Sequence, residues 1–249
     1  ASTAMAVPIA HGHRGSVDHV ELDAAGSGLG ELEAQRNGAA YAEAVVETGE
    51  WPLDELSALI AAHARPIEVD DLLLGLDDLA LGLTASSAEA VMDGLFASGP
   101  FRGNVDDYYD PDNSFLDQVL ARHLGIPITL SLLAVEVGRR RGVRLVVVGM
   151  PGHVLVRERS DATRFWDPFD GGRPLDMRGV EDRFRSIHGD RVPFDAAMTR
   201  PIPNPAVVER LLANLAAIYA SRRDVASVMW VDRLRAVVAG SERANAGLN

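Results

Sequence analysis

The chain has 249 residues and no cysteine. That absence excludes disulfides, thiolate metal sites and every mechanism that needs a protein thiol. Lysine is missing as well, because all 24 basic residues are arginine, and this closes Schiff-base and lysine-nucleophile chemistry. No apolar run approaches the roughly 18 residues of a membrane-spanning helix. The opening ASTAMAVPIAHGHRGS has neither the basic region nor the apolar stretch of a secretory leader. A soluble, cytoplasmic protein without membrane attachment is expected. Positive charge is scarce too: the net charge of −12 argues against nucleic acid or anionic lipid as a partner, since phosphates need a basic surface.

The charge that is present lies unevenly. Residues 1–125 carry 22 acidic groups and 5 arginines, whereas 126–249 carry 14 and 19, giving −17 and +5. Two readings follow: a basic partner on the first half, or two halves that attract each other within one fold.

Hydrophobic periodicity divides the chain into four stretches. Residues 1–38 are rich in Gly, Ala and Ser and lack a sustained apolar period, so a poorly structured segment is expected. It holds His11, His13 and His19, which no regular element fixes beside an acidic ligand, so no metal site is expected there. Residues 39–100 read as a helical layer. Leu53, Leu56, Leu59 and Ile60 recur at three- and four-residue intervals behind Pro52; a second helix is expected over Val69–Leu83 and a third over Ser87–Phe96, with Ser86 or Ser87 as cap. Residues 101–199 change to α+β, with a Tyr- and Asp-rich loop, a long apolar helix and short Val-rich strands. Residues 200–249 comprise a proline-spaced linker, Arg200–Pro205, and two helices, Val207–Ser221 and Val225–Val238, with the small-residue pattern of one tetratricopeptide-like pair.

Three segments of the third stretch carry the chemistry. In GIPITLSLLAVEVGRRRG, Pro127 suits a first helical turn and Arg139–Arg141 suit the negative end of the dipole. The helix is apolar nearly all round, so it is expected to be buried with its N-terminal N–H groups facing a site. In the second segment, the turn Met150-Pro151-Gly152 leads into a strand expected over His153–Val156. The third, FWDPFDGG, ends a strand at Asp167. An antiparallel hairpin turning at Glu158–Thr163 brings His153 and Asp167 to the same end, where the carboxylate can orient the imidazole. The loop Asn104–Ser114 gathers Asp106, Asp107, Asp110 and Asp112 around Tyr108 and Tyr109. It lacks the glycine and closing glutamate of a calcium loop, so its residues are expected to make turns and a cap, with Tyr109 packing and Asn113 or Ser114 capping. His123 and His188 are assigned no chemistry.

The stretch GNVDDYYDPDNSFLDQVLARHLGIPITLSLLAVEVGRRRGV, with GMPGHVLVR and WDPFDGG after it, closely resembles the SirB-type transglutaminase-like family. The resemblance runs from about Trp51 to the NLAAIY helix. It implies a papain-like α+β core with an antiparallel sheet. In active members of the wider superfamily a cysteine stands at the N-terminus of the buried helix, with histidine and aspartate on adjacent strands. His153 and Asp167 match the last two, and the cysteine position falls at Pro127, within a residue either way. The family likeness also covers the acidic loop, which suggests a pocket rim with Tyr109 and Asn113, joined by Gly152 and Trp166.

Thr129 and Ser131 are the hydroxyls nearest that position and the candidate nucleophiles in place of the thiol, with a structural role for each the favoured reading. Thr129 points about 200° around the helix from Pro127, and Ser131 lies one turn deeper, where a bond to the Pro127 carbonyl is expected. Two functions emerge. One is a cysteine-less domain that binds a peptide or protein segment in the former substrate cleft. The other is a hydrolase or acyl transferase in which His153 is the general base and Asp167 orients it. Neither calls for a cofactor or a metal.

Overall fold

The leucine spacing of the first half does produce helices, and the structure, a computed structural model describing residues 21–47, 51–84 and 86–246, shows what they surround. The chain divides into two units, residues 1–36 and 37–249. Helix α1 spans Glu21–Glu47 and so includes Ala39, where the sequence pattern becomes helical. His11, His13 and His19 lie outside the described residues.

In the second unit, α2 (Leu53–Ala64) starts behind an extended Pro52, whose carbonyl accepts from Leu56 N at 2.9 Å. Asp54 and Glu55 in its first turn complement the helix dipole. Helix α3 (Val69–Gly82) buries Leu72, Leu76 and Ala80. Helix α4 (Ala88–Met92) is capped by Ser87, which accepts from Ala90 N, and continues as a π-turn over Asp93–Ala97. A two-residue strand β1 (Arg102–Gly103) pairs in parallel with β2 (Leu124–Gly125), either side of α5 (Leu116–Arg122).

Helix α6 (Pro127–Arg140) begins at Pro127 as its sequence predicts. Leu130, Leu133, Ala134 and Val137 have no exposed surface, because α2, α3, α4 and α5 and the strands β3 (Leu145–Val148) and β4 (Leu155–Glu158) all pack on α6. Each of these leucines and the valine contributes about 1.5–3 kcal/mol through burial.

The sheet is antiparallel in the order β3-β4-β5-β6, with β5 at Phe165–Asp167 and β6 at Arg173–Leu175. Both faces are covered, and the two-residue alternation separates them. Val147, Val156 and Trp166 join the core around α6, whereas Val148, Leu155, Phe165 and Leu175 join a smaller core closed by Val180 of α7 (Met177–His188). The proline-spaced stretch after α7 is more than a linker. Ile202 N donates to Val147 O at 2.9 Å and Pro201 bridges Val148, so this segment covers part of the β3 edge. Helices α8 (Asn204–Ser221) and α9 (Val225–Ala246) then pack on each other, and α8 also packs against α2 and α6.

The uneven charge resolves inside this unit. Arg140 of α6 hydrogen-bonds Asp54 of α2, Asp77 of α3 and Glu136 of its own helix, and Arg139 reaches Asp54 and Glu136. Arg164 pairs with Glu89. Basic groups of the second half thus bind acidic groups of the first. Burial works to raise the Asp54 carboxyl, but Arg140 and Arg139 outweigh it and hold Asp54 below the ordinary aspartate range. Glu136 faces the same guanidiniums yet moves the other way, because it is buried more deeply and sees the charge of Asp54.

Candidate functional site

The site forms where the N-terminal end of α6 meets the approach to β4 and the end of β5. Met150-Pro151-Gly152 makes a tight turn closed by His153 N on Met150 O, with Gly152 at φ +71°. A side chain at Gly152 would be strained in that left-handed conformation and would sit 3.0 Å from Ile187 Cγ2. The turn delivers His153 just ahead of β4 rather than within it: the strand begins at Leu155.

Asp167 closes β5 and caps a short 3₁₀ turn, Pro168–Asp170, through Oδ1, which accepts from Asp170 N at 3.2 Å. The register Val156↔Trp166 and Arg157↔Phe165 aligns the end of β5 with the residues preceding β4. Consequently His153 Nε2 lies 2.8 Å from Asp167 Oδ2, and Arg183 of α7 lies 3.0 Å from the same oxygen. Asp167 is fully buried and His153 nearly so. A carboxylate only accepts, so Nε2 carries a proton and donates it. His153 Nδ1 makes no hydrogen bond with any described residue.

Beside the ring is a cavity of about 80 Å³ lined by Tyr108, Ile126, Pro127, Ile128, Gly152, His153, Val154, Arg210 and Asn214. The structure therefore brings Pro127, Gly152, His153 and Asp167 into one site. The other sequence candidates lie differently. The Thr129 hydroxyl accepts from Ile126 N at 3.1 Å and lies 2.7 Å from Asn113 O, so it caps α6 and ties the acidic loop to it. Ser131 is fully buried, its hydroxyl has no partner among the described residues, and the expected bond to the Pro127 carbonyl is absent. Neither hydroxyl hydrogen-bonds His153. Asn113 fastens the loop from within, accepting from Asn104 and donating to Asp107 O and Tyr108 O. Trp166 is buried under Arg164 on the α6 side of the sheet.

Tyr109 does not pack inward as its place in the loop suggests. It is 70% exposed, and Tyr108 takes the inner position, edge-on to Phe169 with ring centroids 5.9 Å apart. Burial raises the Tyr108 phenol, Tyr109 adds to that, and Arg210 opposes both. Arg210 and Asn214, which sequence reasoning passed over, both come from α8. A signal was present, since two polar residues four apart on an apolar helix share a face. Arg210 donates to Met150 O at 2.8 Å and His153 O at 3.3 Å. Burial holds its guanidinium below the ordinary arginine range, against the favourable influence of Tyr108.

Comparison with known proteins fits this geometry. The model of the transglutaminase-like superfamily matches residues 53–213, a span that begins with α2 and takes in all of the cavity lining except Asn214. The chain belongs to the transglutaminase-like superfamily. As a superfamily member it is similar to a UPF0162 protein of Xylella fastidiosa, 44% identical over 131 residues, or 51% of this chain and 47% of that protein. It is similar to F-box only protein 21 of Mus musculus, 32% identical over 133 residues, 50% of this chain and 20% of that protein. A UPF0162 protein of Pseudomonas aeruginosa is 28% identical over 214 residues, 82% of this chain and 77% of that protein. The chain spans about half the length of the Xylella protein. No solved structure matches. This superfamily domain has no cysteine. Among its described residues no helix is long and apolar enough to cross a membrane.

Proposed function

We propose that this transglutaminase-like domain is of the SirB type on a papain-like core, and that it binds a peptide or protein segment in the cleft around Pro127 and His153 without cysteine-dependent acyl transfer. One observation carries the reading. At the helix end where a thiol would stand there is a proline, no hydroxyl of a described residue hydrogen-bonds His153, and yet a cavity lined by both residues stays open. On this reading α8 and α9 are one tetratricopeptide-like pair that contributes Arg210 and Asn214 to the cleft. The test is binding of a randomised peptide pool to the wild-type chain and to a Pro127→Phe variant that fills the cavity. Saturable binding lost in the variant is expected; no binding by the wild-type chain sinks the proposal.

A second reading rests on His153 Nδ1, which has no partner among the described residues while Asp167 holds Nε2. An imidazole so held can take a proton from water at Nδ1 as that water attacks an acyl carbon. His153→Gln would then abolish hydrolysis of an activated ester such as p-nitrophenyl acetate above the rate of free imidazole. Equal turnover by wild type and variant rules this reading out.

A further inference from the structure

We infer that the cavity beside His153 receives the free C-terminal carboxylate of a bound peptide, with the Arg210 guanidinium as its counter-charge. This rests on the reading that the cleft holds a peptide, and it specifies which end of the peptide enters.

Arg210 carries the argument. It is half-buried and lines the cavity, and its hydrogen bonds go to two carbonyls, Met150 O and His153 O. Those carbonyls orient the fork but bring no opposite charge, and Arg210 forms no ion pair with any described residue. Acids are not scarce: the chain has 36 against 24 bases. Arg140, Arg183 and Arg122, also largely buried, each have a carboxylate partner. Arg157, buried and held by three backbone carbonyls, shares with Arg210 the lack of an ion pair among the described residues. Of these two, Arg210 is the one beside His153. A cation withdrawn from water is normally paired. Arg210 instead faces a cavity, and a ligand anion is the partner its position admits.

The other open valences agree. Tyr108 lines the same cavity, its hydroxyl makes no hydrogen bond with a described residue, and a phenol is protonated at neutral pH, so it is available as a donor. His153 Nδ1 is open as well. A guanidinium with a phenol beside it matches a planar, acceptor-only group with two oxygens, which is a carboxylate. The volume decides the size. About 80 Å³ is roughly half the ~150 Å³ of an apolar cavity that holds a benzene ring. It accommodates a carboxylate and the atoms next to it. One guanidinium balances one negative charge; a phosphate, with nearly two, is usually met by a cluster of arginines.

The test is side-chain NMR of the full chain, following Arg210 Nε and the His153 ring while N-acetyl-alanyl-alanine is titrated as the free acid and as the C-terminal amide. The free acid is expected to bind at least tenfold more tightly. Arg210→Gln should remove that preference, and Tyr108→Phe, a change that adds no bulk and unpairs no group, should reduce it severalfold. Equal affinity for acid and amide overturns the carboxylate inference while leaving peptide binding intact. Tighter binding of inorganic phosphate than of the free acid overturns it as well. If neither dipeptide nor the randomised pool binds, the peptide-cleft reading fails and this inference falls with it.

Discussion

His153 Nε2 lies 2.8 Å from Asp167 Oδ2, an oxygen that also lies 3.0 Å from the Arg183 guanidinium. One buried carboxylate therefore holds the imidazole from the turn ahead of β4 and a guanidinium from α7, and it fixes which ring nitrogen faces the cavity.

Asp167→Asn keeps the volume and removes the charge. The amide cannot accept from both partners at one oxygen with equal strength, so a loss of about 1.5–3 kcal/mol is expected, the range for hydrogen bonds to charged groups. Chemical denaturation measures it. The His153 ring should also change its tautomer distribution by ¹⁵N NMR, and an unchanged ring spectrum contradicts the orienting role.

Pro127→Cys places a single thiol at the N-terminal end of α6, in the lining it shares with His153. Such an end and a neighbouring imidazole lower a thiol pKa, so alkylation by iodoacetamide at pH 6.5 should run at least about tenfold faster than for free cysteine. The chain has no other cysteine, so the labelling is unambiguous. A folded variant that labels no faster than free cysteine shows that Pro127 is not the nucleophile position.

Arg140 and Arg139 both bind Asp54 and Glu136, but Arg140 has 12% of its side chain exposed and Arg139 58%. Arg140→Ala leaves two largely buried carboxylates short of their partner and should cost about 3–5 kcal/mol. Arg139→Ala removes a solvent-screened pair and should cost less than about 1 kcal/mol. Denaturant midpoints of the two variants compare them directly, and equal losses contradict the role given to burial.

His63 titrates below its ordinary value of 6.5, because burial penalises its charged form more than the hydrogen bond to Leu59 O favours it. Its ring stacks on Trp230 at 5.7 Å. A depressed folded value gives stability that is present above pH 6.5 and is lost as the pH falls through the folded value. Stability should therefore decline from pH 7.5 to 5.5 in the wild type and decline less in His63→Gln. Parallel declines contradict the assignment.

Much of this could be read from the residues. The positions of α2, α3 and α6 follow from leucine spacing and from Pro127, and the hairpin that joins His153 to Asp167 follows from two short Val- and aromatic-rich runs with a turn between them. Helix boundaries and strand pairing of this kind depend on neighbours along the chain. Ser131 shows where local reasoning stops: its hydroxyl has the spacing for a bond to the turn before it and makes none. Tyr108 and Tyr109 show the same, since adjacent tyrosines in one loop present identical sequence signals and only packing against Phe169 separates them.

The sequence by itself determined that no thiol or lysine chemistry is open to this chain, that a buried helix begins at Pro127, and that a histidine and an aspartate sit at matching ends of a hairpin. Those are properties of composition and of short-range periodicity. The tertiary structure alone decided that α8 brings Arg210 and Asn214 to the same cavity, that Arg183 shares Asp167, and that Thr129 is spent on a cap. Each of these joins residues far apart in the chain, and which face of one element meets which end of another is set by packing, for which the local sequence carries no code.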